Sequence, residues 1–185
     1  MFIRKATITD ADAIAQLLLT AMETIVYEFL GVKNHNQALA FLQHFTAQSN
    51  NQYSYQNCYV VENKNRVIAA INCYDGALLE SLRHPIHQYI TTHYNMYFNP
   101  EDETEAGEIY IDSFAVLKSE QGKGVGAMLL KFIIQNYVYK QHKTLGLLVE
   151  EHNLKAEHLY LNLGFKMVGT RNLVGKTLKH LQYTA

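Results

Sequence analysis

The stretch EQGKGVGAMLL, from Glu120 to Leu130, places three glycines at alternate positions directly before an apolar helical pattern. Gly122, Gly124 and Gly126 carry no side chain, so their amides can lie close to a ligand and adopt positive φ. A helix that begins beside them directs its unpaired N–H groups and the positive end of its dipole the same way. That geometry suits a phosphate or pyrophosphate. A flexible turn with close helix packing explains the same glycines about equally well, so the neighbouring sequence must decide.

The sequence around this loop predicts alternating strands and helices. Before it lies the strand EIYIDSFAVL, and after it come the helix Val125 to Tyr139, the strand TLGLLVE, the helix Asn153 to Leu163, the strand GFKMVGT and a closing strand near KTLKHLQY. The last third is thus typical of a βαβαβ-like unit. The pattern predicts an α/β (α+β) fold, with a mixed, twisted sheet of about six to seven strands and helices on both faces.

The N-terminal part adds two helices and a hairpin. The sequence predicts a strand at FIRKAT, a helix whose apolar stripe runs from Ile14 to Phe29 and ends at Gly31, and a second helix from Asn36 to Gln48. The run CYVVENKNRVIAAINCY predicts two strands joined by a turn at Asn63 to Asn65. Residues 76–106 lack a clear period, and we expect a long, partly helical insertion there.

Composition and charge favour one soluble domain. A chain of 185 residues with 48% hydrophobic content can bury one core, so residues 1–185 are predicted to be a single domain. The net charge of −1, from 16 basic and 17 acidic residues, provides no basic patch for nucleic acid or membranes. No segment approaches the length of a membrane span, and we expect a cytoplasmic protein. Cys58 and Cys73 stand in strand-like runs without a third ligand, so we expect buried thiols, no disulfide and no metal site.

Two nucleotide-binding motifs compete for the glycine loop. The P-loop does not fit, because the lysine of this loop is followed by glycine where Ser or Thr is needed. The dinucleotide fingerprint G-x-G-x-x-A fits Gly122, Gly124 and Ala127, with Glu150 or Glu151 at a distance suited to a ribose contact. Against it, the polar residues KSEQ separate the strand from the first glycine, and too few βα units follow to build a doubly wound sheet. The dinucleotide hypothesis is therefore the weaker one.

Two motifs in this half of the chain resemble one family. QGKGVG, from Gln121 to Gly126, is similar to the Q/R-x-x-G-x-G/A signature of the GNAT superfamily of acetyl-CoA-dependent N-acetyltransferases, and it follows YIDSFAV as that signature follows the family's fourth strand. The downstream run NLKAEHLYLNLGFKMVG resembles the family's next helix and strand. The resemblance covers about Glu108 to Gly169, and two motifs at the family's spacing are far more specific than either alone.

The resemblance implies that acetyl-CoA is the co-substrate, without a metal, and it assigns the contacts. The loop amides would hold the pyrophosphate, and the main chain at the end of the preceding strand would pair with the pantetheine arm like an added strand. Asn153 would lie near the thiol, although an asparagine at a helix start is also an ordinary N-cap. The implied cofactor-binding residues are Phe114, Ala115, Val116, Gln121, Gly122, Lys123, Gly124, Val125, Gly126, Asn153 and Tyr160.

Acetylation of an amine requires a base. An alkylamine with a pKa of about 10 is almost wholly protonated near neutral pH and must lose a proton before it attacks the thioester. Strand alternation places Glu108, Tyr110 and Asp112 on one face of EIYIDSFAV, so two acids lie along the strand that leads to the cofactor. Asp112 is nearest and is the first candidate, ahead of Glu108, with Glu151 third. Asp112 as a buried structural acid and Glu108 as a solvated one are equally good explanations.

The departing thiolate also profits from a proton donor. Tyr160 stands where the family often keeps that acid, and the resemblance therefore assigns it the role. The alternative is packing, because Tyr160 shares an apolar helical stripe with Leu159 and Leu163. Removal of the hydroxyl alone, as in Tyr160→Phe, separates the two hypotheses.

The function predicted from these features is transfer of an acetyl group from acetyl-CoA to a primary amine of a small molecule or peptide. The alternative is a non-catalytic module that binds coenzyme A or regulates a partner on the same fold. The acid-rich run NPEDETEAGE, from Asn99 to Glu108, favours a cationic acceptor if it lies on the acceptor side. A homodimer, with the tyrosine-rich middle segment at its interface, is a further expectation.

Overall fold

A computed structural model describes all 185 residues and contains one seven-stranded sheet. The strands lie in the order β1-β2-β3-β4-β5-β7-β6. Only β4 and β5 are parallel, and every other neighbouring pair is antiparallel. The strands are β1 Phe2–Lys5, β2 Cys58–Asn63, β3 Arg66–Asp75, β4 Glu108–Val116, β5 Thr144–Glu150, β6 Lys166–Leu173 and β7 Lys176–Tyr183. The predicted mixed sheet is confirmed.

Five helices cover the two faces of this sheet. They are α1 Ala11–Leu30, α2 His35–Thr46, α3 Leu79–His93, α4 Val125–Ile133 and α5 Leu154–Leu163, with α4 continued by a π-helical turn, Ile134–Tyr139. Apolar side chains of α1, α2 and α3 form one core against the sheet, and those of α4 and α5 form a second core on the opposite face. The prediction of helices on both faces is therefore confirmed as well.

The segment predicted to be partly helical contains α3 and then a non-helical stretch. We call residues 101–105 of this stretch the acidic strap. A hydrogen bond and a salt bridge connect it to the β6–β7 hairpin: Glu101 accepts from the Val174 amide of the turn, and Glu105 pairs with Arg171 of β6. The strap therefore lies across the face of the sheet that α1 and α3 also cover.

Helix α1 is kinked at Met22, whose φ of −133° and ψ of 22° are not helical. The Sδ atom of Met22 accepts a hydrogen bond from the Ser113 hydroxyl of β4, at 3.6 Å. The kink thus lies directly above β4, beside Asp112.

The expectation that no segment approaches the length of a membrane span requires correction. The segment Ile8–Leu30, which contains α1, has a mean hydropathy of 1.4 and is long enough to cross a membrane. Half of its apolar window is buried within the protein, against α2, β3 and β4. Such a helix is weak evidence for a membrane span, because a helix in a protein core meets the same criteria of length and composition.

The two cysteines are buried and unpaired, as expected. Burial raises the pKa of both thiols, to about 11 for Cys73 and further for Cys58. Both are therefore protonated, unreactive core side chains at neutral pH.

Candidate active site

The sheet opens between its two parallel strands. The β4–β5 ladder ends at the pair Ile111–Leu147, beyond which β4 continues to Val116 while β5 continues beside β7. The edge of β4 that faces β5 is therefore unpaired over its last residues, including Phe114 and Ala115. An extended ligand arm can add to such an edge as a strand does.

The glycine loop lies at the end of this opening. Gly122 and Gly124 have φ of 77° and 81°, and a Cβ atom built on either would meet nothing within 4 Å. Gly124 is the N-cap of α4, which begins at Val125. The left-handed backbone and the open space together leave the loop amides accessible to an anion.

Gly126 has a different role from the other two glycines. A Cβ atom there would lie 3.0 Å from Phe114 Cζ, so the absence of a side chain lets α4 pack closely on β4. Close helix packing, one of the two sequence-based explanations, thus applies at Gly126, whereas phosphate binding at Gly122 and Gly124 stays a prediction.

Polar side chains fix the loop against its neighbours. Gln121 Nε2 donates to the Val116 carbonyl at 3.1 Å, and Lys155 of α5 donates to Gln121 Oε1 at 3.1 Å. Lys123 pairs with Glu120 at 3.2 Å and is 58% exposed, so it has the surroundings of a solvated lysine. Lys155, which sequence analysis did not single out, supplies a second positive charge beside the loop.

Tyr160 of α5 lies in the core beneath the loop helix. Its ring packs edge-on against Phe165, with the centroids 5.8 Å apart, and only 8% of the residue is exposed. Burial raises the pKa of Tyr160 to about 12, and no hydrogen bond contributes to this shift. The hydroxyl is thus protonated at neutral pH and free to donate to a ligand.

The turn between β5 and α5 holds the remaining candidates. Asn153 Oδ1 accepts from the Ala156 amide at 3.2 Å, which confirms the ordinary N-cap and leaves the side-chain Nδ2 of Asn153 free. Glu150 pairs with Lys176 at 2.7 Å, and Glu151 is exposed. The cofactor contact of Asn153 stays a prediction.

A β-bulge places Asp112 at the mouth of the opening. In the β3–β4 ladder, Asn72 faces Ser113 and Cys73 faces Ile111, so Asp112 has no partner of its own. Asp112 and Ser113 consequently lie on the same face of the sheet, the face opposite α4. The alternation used to select Asp112 holds up to this residue and reverses after it.

Asp112 is the centre of a buried polar cluster. Its Oδ2 atom accepts from Gln52 Nε2 at 2.7 Å and from the Tyr74 hydroxyl at 3.0 Å, and its Oδ1 atom accepts from the Ser113 hydroxyl at 2.7 Å. Burial raises the pKa of Asp112, although these three hydrogen bonds oppose the shift. A carboxylate with a raised pKa is a better proton acceptor near neutral pH than an ordinary aspartate.

Glu103 of the acidic strap is a second buried carboxylate in this cluster. It accepts from Arg83 Nη2 of α3 at 2.9 Å and also from Gln52 Nε2. Burial, and next the charge of Asp112, raise the pKa of Glu103 to about 7. Sequence analysis did not select Glu103, because it is one of four acids in a short run.

Glu108 is the first residue of β4 and lies in a buried hydrogen-bond network. Its Oε1 atom accepts from the Thr104 hydroxyl at 2.7 Å, and its Oε2 atom accepts from Gln182 at 2.7 Å and lies 2.9 Å from His180 Nε2. The residue is 3% exposed, so it is not the solvated acid considered from the sequence. It also belongs to the part of β4 that is paired with β5, away from the opening.

The close approach of Glu108 to Gly146 gives a test of this structural role. A Cβ atom at Gly146 would overlap the Glu108 carboxylate, so Gly146→Ala must displace a hydrogen-bonded buried acid. We expect a loss of about 1–3 kcal/mol in the free energy of unfolding, measured by urea denaturation. Gly169→Ala is the matched control, because a Cβ atom there meets nothing within 4 Å. Equal stability of the two variants would contradict the packing described for Glu108.

Comparison with known proteins agrees with this geometry. The model of the acetyltransferase (GNAT) family matches residues 14–165, so the chain belongs to that family. An N-acetyltransferase from Staphylococcus aureus Mu50 has the same fold, with a TM-score of 0.85, 21% identity and 99% of this chain and 100% of that chain covered. The fold is shared too by yncA, a putative acetyltransferase from Salmonella typhimurium solved with acetyl-CoA, with a TM-score of 0.55, 18% identity and coverage of 100% and 93%.

A curated relative matches part of the chain. A probable spermine N(1)-acetyltransferase of Bacillus subtilis subsp. natto is 32% identical over 85 residues, which are 45% of this chain and 55% of the relative. The chain thus spans about half the length of the curated relatives it matches.

Proposed function

We propose that this protein transfers the acetyl group of acetyl-CoA to a primary amine by direct attack on the thioester. The observation that carries the proposal is the opening between β4 and β5, which has a glycine loop at its end and Asp112 at its mouth. The residues fit acetyl-CoA, because Gly122 and Gly124 leave an open cradle of amides beside the start of α4. Membership of the GNAT family supports the same reaction.

In this proposal the glycine loop and the edge of β4 bind the co-substrate, while Asp112 and Tyr160 transfer protons. The loop amides bind the pyrophosphate, and the free edge of β4 from Phe114 to Val116 orients the pantetheine arm. Asp112 removes a proton from the bound ammonium, which frees the lone pair of the amine for attack on the thioester carbonyl. The Tyr160 hydroxyl donates to the sulfur as the carbon–sulfur bond breaks. The amide product and coenzyme A then leave.

We propose a small cationic amine as the acceptor. The B. subtilis relative is named for spermine, and the mouth of the opening on this chain carries buried carboxylates. The acidic strap as a whole supports this less than its composition suggested, because Asp102 and Glu103 pair with Arg83 and Glu105 pairs with Arg171. Asp112 is therefore the acid on which recognition of the ammonium depends.

The test combines binding with turnover. We expect acetyl-CoA to bind by calorimetry and to raise the melting temperature, because a ligand that recognises only the native state stabilises it. We also expect thiol release with at least one member of a panel of polyamines, lysine, basic antibiotics and N-terminal peptides. Binding without release for every amine would support the non-catalytic module instead. No binding at all would reject both functions.

A further inference from the structure

Glu103 and Asp112 share two hydrogen-bond donors, Gln52 and Tyr74. Gln52 Nε2 donates to Glu103 Oε1 and to Asp112 Oδ2. The Tyr74 hydroxyl lies 3.4 Å from the same Glu103 oxygen and 3.0 Å from the same Asp112 oxygen. Two carboxylates that share both donors are neighbours, and neighbouring carboxylates in a buried site resist double ionisation.

A single buried cation faces this pair. Arg83 of α3 contacts Glu103 at 2.9 Å, while its other acidic partner, Asp102, has a side chain that is 78% exposed. The remaining titratable groups that interact with the pair are the Cys58 thiol and three tyrosine hydroxyls, those of Tyr53, Tyr74 and Tyr110. Burial raises the pKa of all four, so each is uncharged near neutral pH. The charge of one arginine is balanced when the two carboxylates hold one proton between them.

Unsatisfied polar atoms lie in the same cluster. The Tyr53 hydroxyl is completely buried and has no hydrogen-bond partner, yet it interacts with the charges of Asp112, Glu103 and Arg83. Gln52 Oε1 and Arg83 Nε also lack partners. Glu103 uses only Oε1 in its hydrogen bonds. A purely structural polar network normally satisfies its members, so this cluster retains capacity for an additional donor or proton.

We propose that Glu103 and Asp112 work as one proton-sharing pair that receives the proton of the acceptor ammonium. Asp112, the more exposed member and the one at the opening, faces the amine. Glu103 is a positioning residue that acts on Asp112 through Gln52, Tyr74 and its own charge. This inference rests on the proposed acetyl transfer and adds to it a residue of the acidic strap.

The proton balance of the step is complete. One N–H bond of the ammonium breaks and an O–H bond forms on the pair, so the amine gains a free lone pair. The nitrogen–carbon bond then forms as the carbon–sulfur bond breaks. The second proton that nitrogen loses replaces the one that Tyr160 gives to sulfur, and the pair returns its proton to solvent.

The pH dependence of kcat at saturating acceptor tests the role of Glu103, because kcat reports ionisations in the enzyme–substrate complex. In the wild type, kcat should rise with pH through about 7, as the pair loses its last proton. In Glu103→Gln, Asp112 keeps the attraction of Arg83 and loses the repulsion of Glu103. We therefore expect the acidic limb to move down by about one pH unit or more. An unmoved limb overturns the proposal.

Asp102→Asn is the matched control. It removes another acidic partner of Arg83 from the same strap, but one that is largely exposed. We expect its acidic limb to coincide with that of the wild type. A shift as large as that of Glu103→Gln would mean that any change of charge near Arg83 has this effect, and it would overturn the specific role of Glu103.

A second measurement does not depend on turnover. The pKa of Glu103 is raised from 4.5 to about 7 in the folded state, so the folded state binds this proton more tightly than the unfolded chain does. Its contribution to stability is present at low pH and is lost as the pH rises through about 7. The melting temperature of Glu103→Gln should therefore increase relative to the wild type between about pH 5 and pH 8. A constant difference would overturn proton sharing, whereas absence of thiol release with every amine would reject only the acetyl transfer.

Discussion

Tyr160→Phe is expected to lower kcat by about tenfold to a thousandfold while the affinity for acetyl-CoA stays close to that of the wild type. The substitution removes one oxygen from a ring that packs against Phe165 in the core. No hydrogen bond holds that oxygen in the free protein, so the melting temperature should hardly change. The effect appears only when the departing sulfur becomes negative.

The pKa of Tyr160 limits how the hydroxyl acts. A phenol with a pKa of about 12 does not transfer its proton downhill to a thiolate whose acid has a pKa of about 8.5. The difference corresponds to roughly 5 kcal/mol. In the proposed mechanism the main contribution of Tyr160 would therefore be a hydrogen bond to the developing thiolate, and its proton would move to sulfur only as the amine loses its own. This explains why the expected loss is that of one transition-state donor.

Tyr139→Phe is the matched control for this experiment. Tyr139 donates to or accepts from Tyr183 at 2.7 Å on the surface and has no place in the opening. Its loss should leave kcat unchanged. If Tyr160→Phe has full activity, the acid assignment is wrong and Tyr160 is a packing residue. If it loses affinity but not turnover, the hydroxyl is instead a cofactor anchor.

Local backbone chemistry explains why much of the fold could be predicted. The turn of the β2–β3 hairpin was predicted at Asn63 to Asn65, and in the structure Lys64 and Asn65 have φ of 50° and 60°. A two-residue turn of type I′ needs positive φ at both positions, and asparagine, which tolerates this conformation, occupies the second of them. The glycine loop was predictable for the same reason, because residue type and backbone conformation are linked at Gly122 and Gly124.

The side of the candidate site that contains Arg83 and Glu103 was less predictable. Arg83 occupies the buried stripe of α3 together with Leu79, Ile86 and Ile90, where an apolar residue is expected. An arginine in such a stripe indicates a buried acid, and it was the available signal for Glu103. The acid itself could not be chosen from the run EDETE by period, since only the tertiary path of the strap directs Glu103 inward.

The bulge in β4 shows a further limit of sequence periodicity. Strand alternation placed Asp112 on the same face as Glu108. This prediction is correct because Glu108 precedes the bulge and Asp112 is the bulged residue itself. Strict alternation would also have placed Ser113 on the face of α4, whereas it contacts Met22 of α1. A bulge depends on the register of two strands that are distant in sequence, so the pattern of one strand does not encode it.

Gly124→Val is expected to remove most of the binding of acetyl-CoA. The change places a β-branched residue at φ of 81°, where such side chains are outliers, and the loop must rearrange to relieve the strain. Loss of even one charge-assisted hydrogen bond to the pyrophosphate costs about 1.5–3 kcal/mol, which raises the Kd about 10- to 150-fold. Calorimetry with acetyl-CoA measures this directly.

Gly175→Val separates ligand binding from backbone strain. Gly175, in the turn of the β6–β7 hairpin, has φ of 76° and, like Gly124, nothing within 4 Å of a built Cβ atom. The two variants should therefore lose similar stability, of roughly 1–2 kcal/mol for a side chain in the left-handed region. Only Gly124→Val should lose affinity, because the proposed phosphate site is formed by the loop that contains Gly124 and not by the β6–β7 turn. Unchanged affinity in a folded Gly124→Val protein, or an equal loss in Gly175→Val, would place the cofactor site elsewhere on the fold.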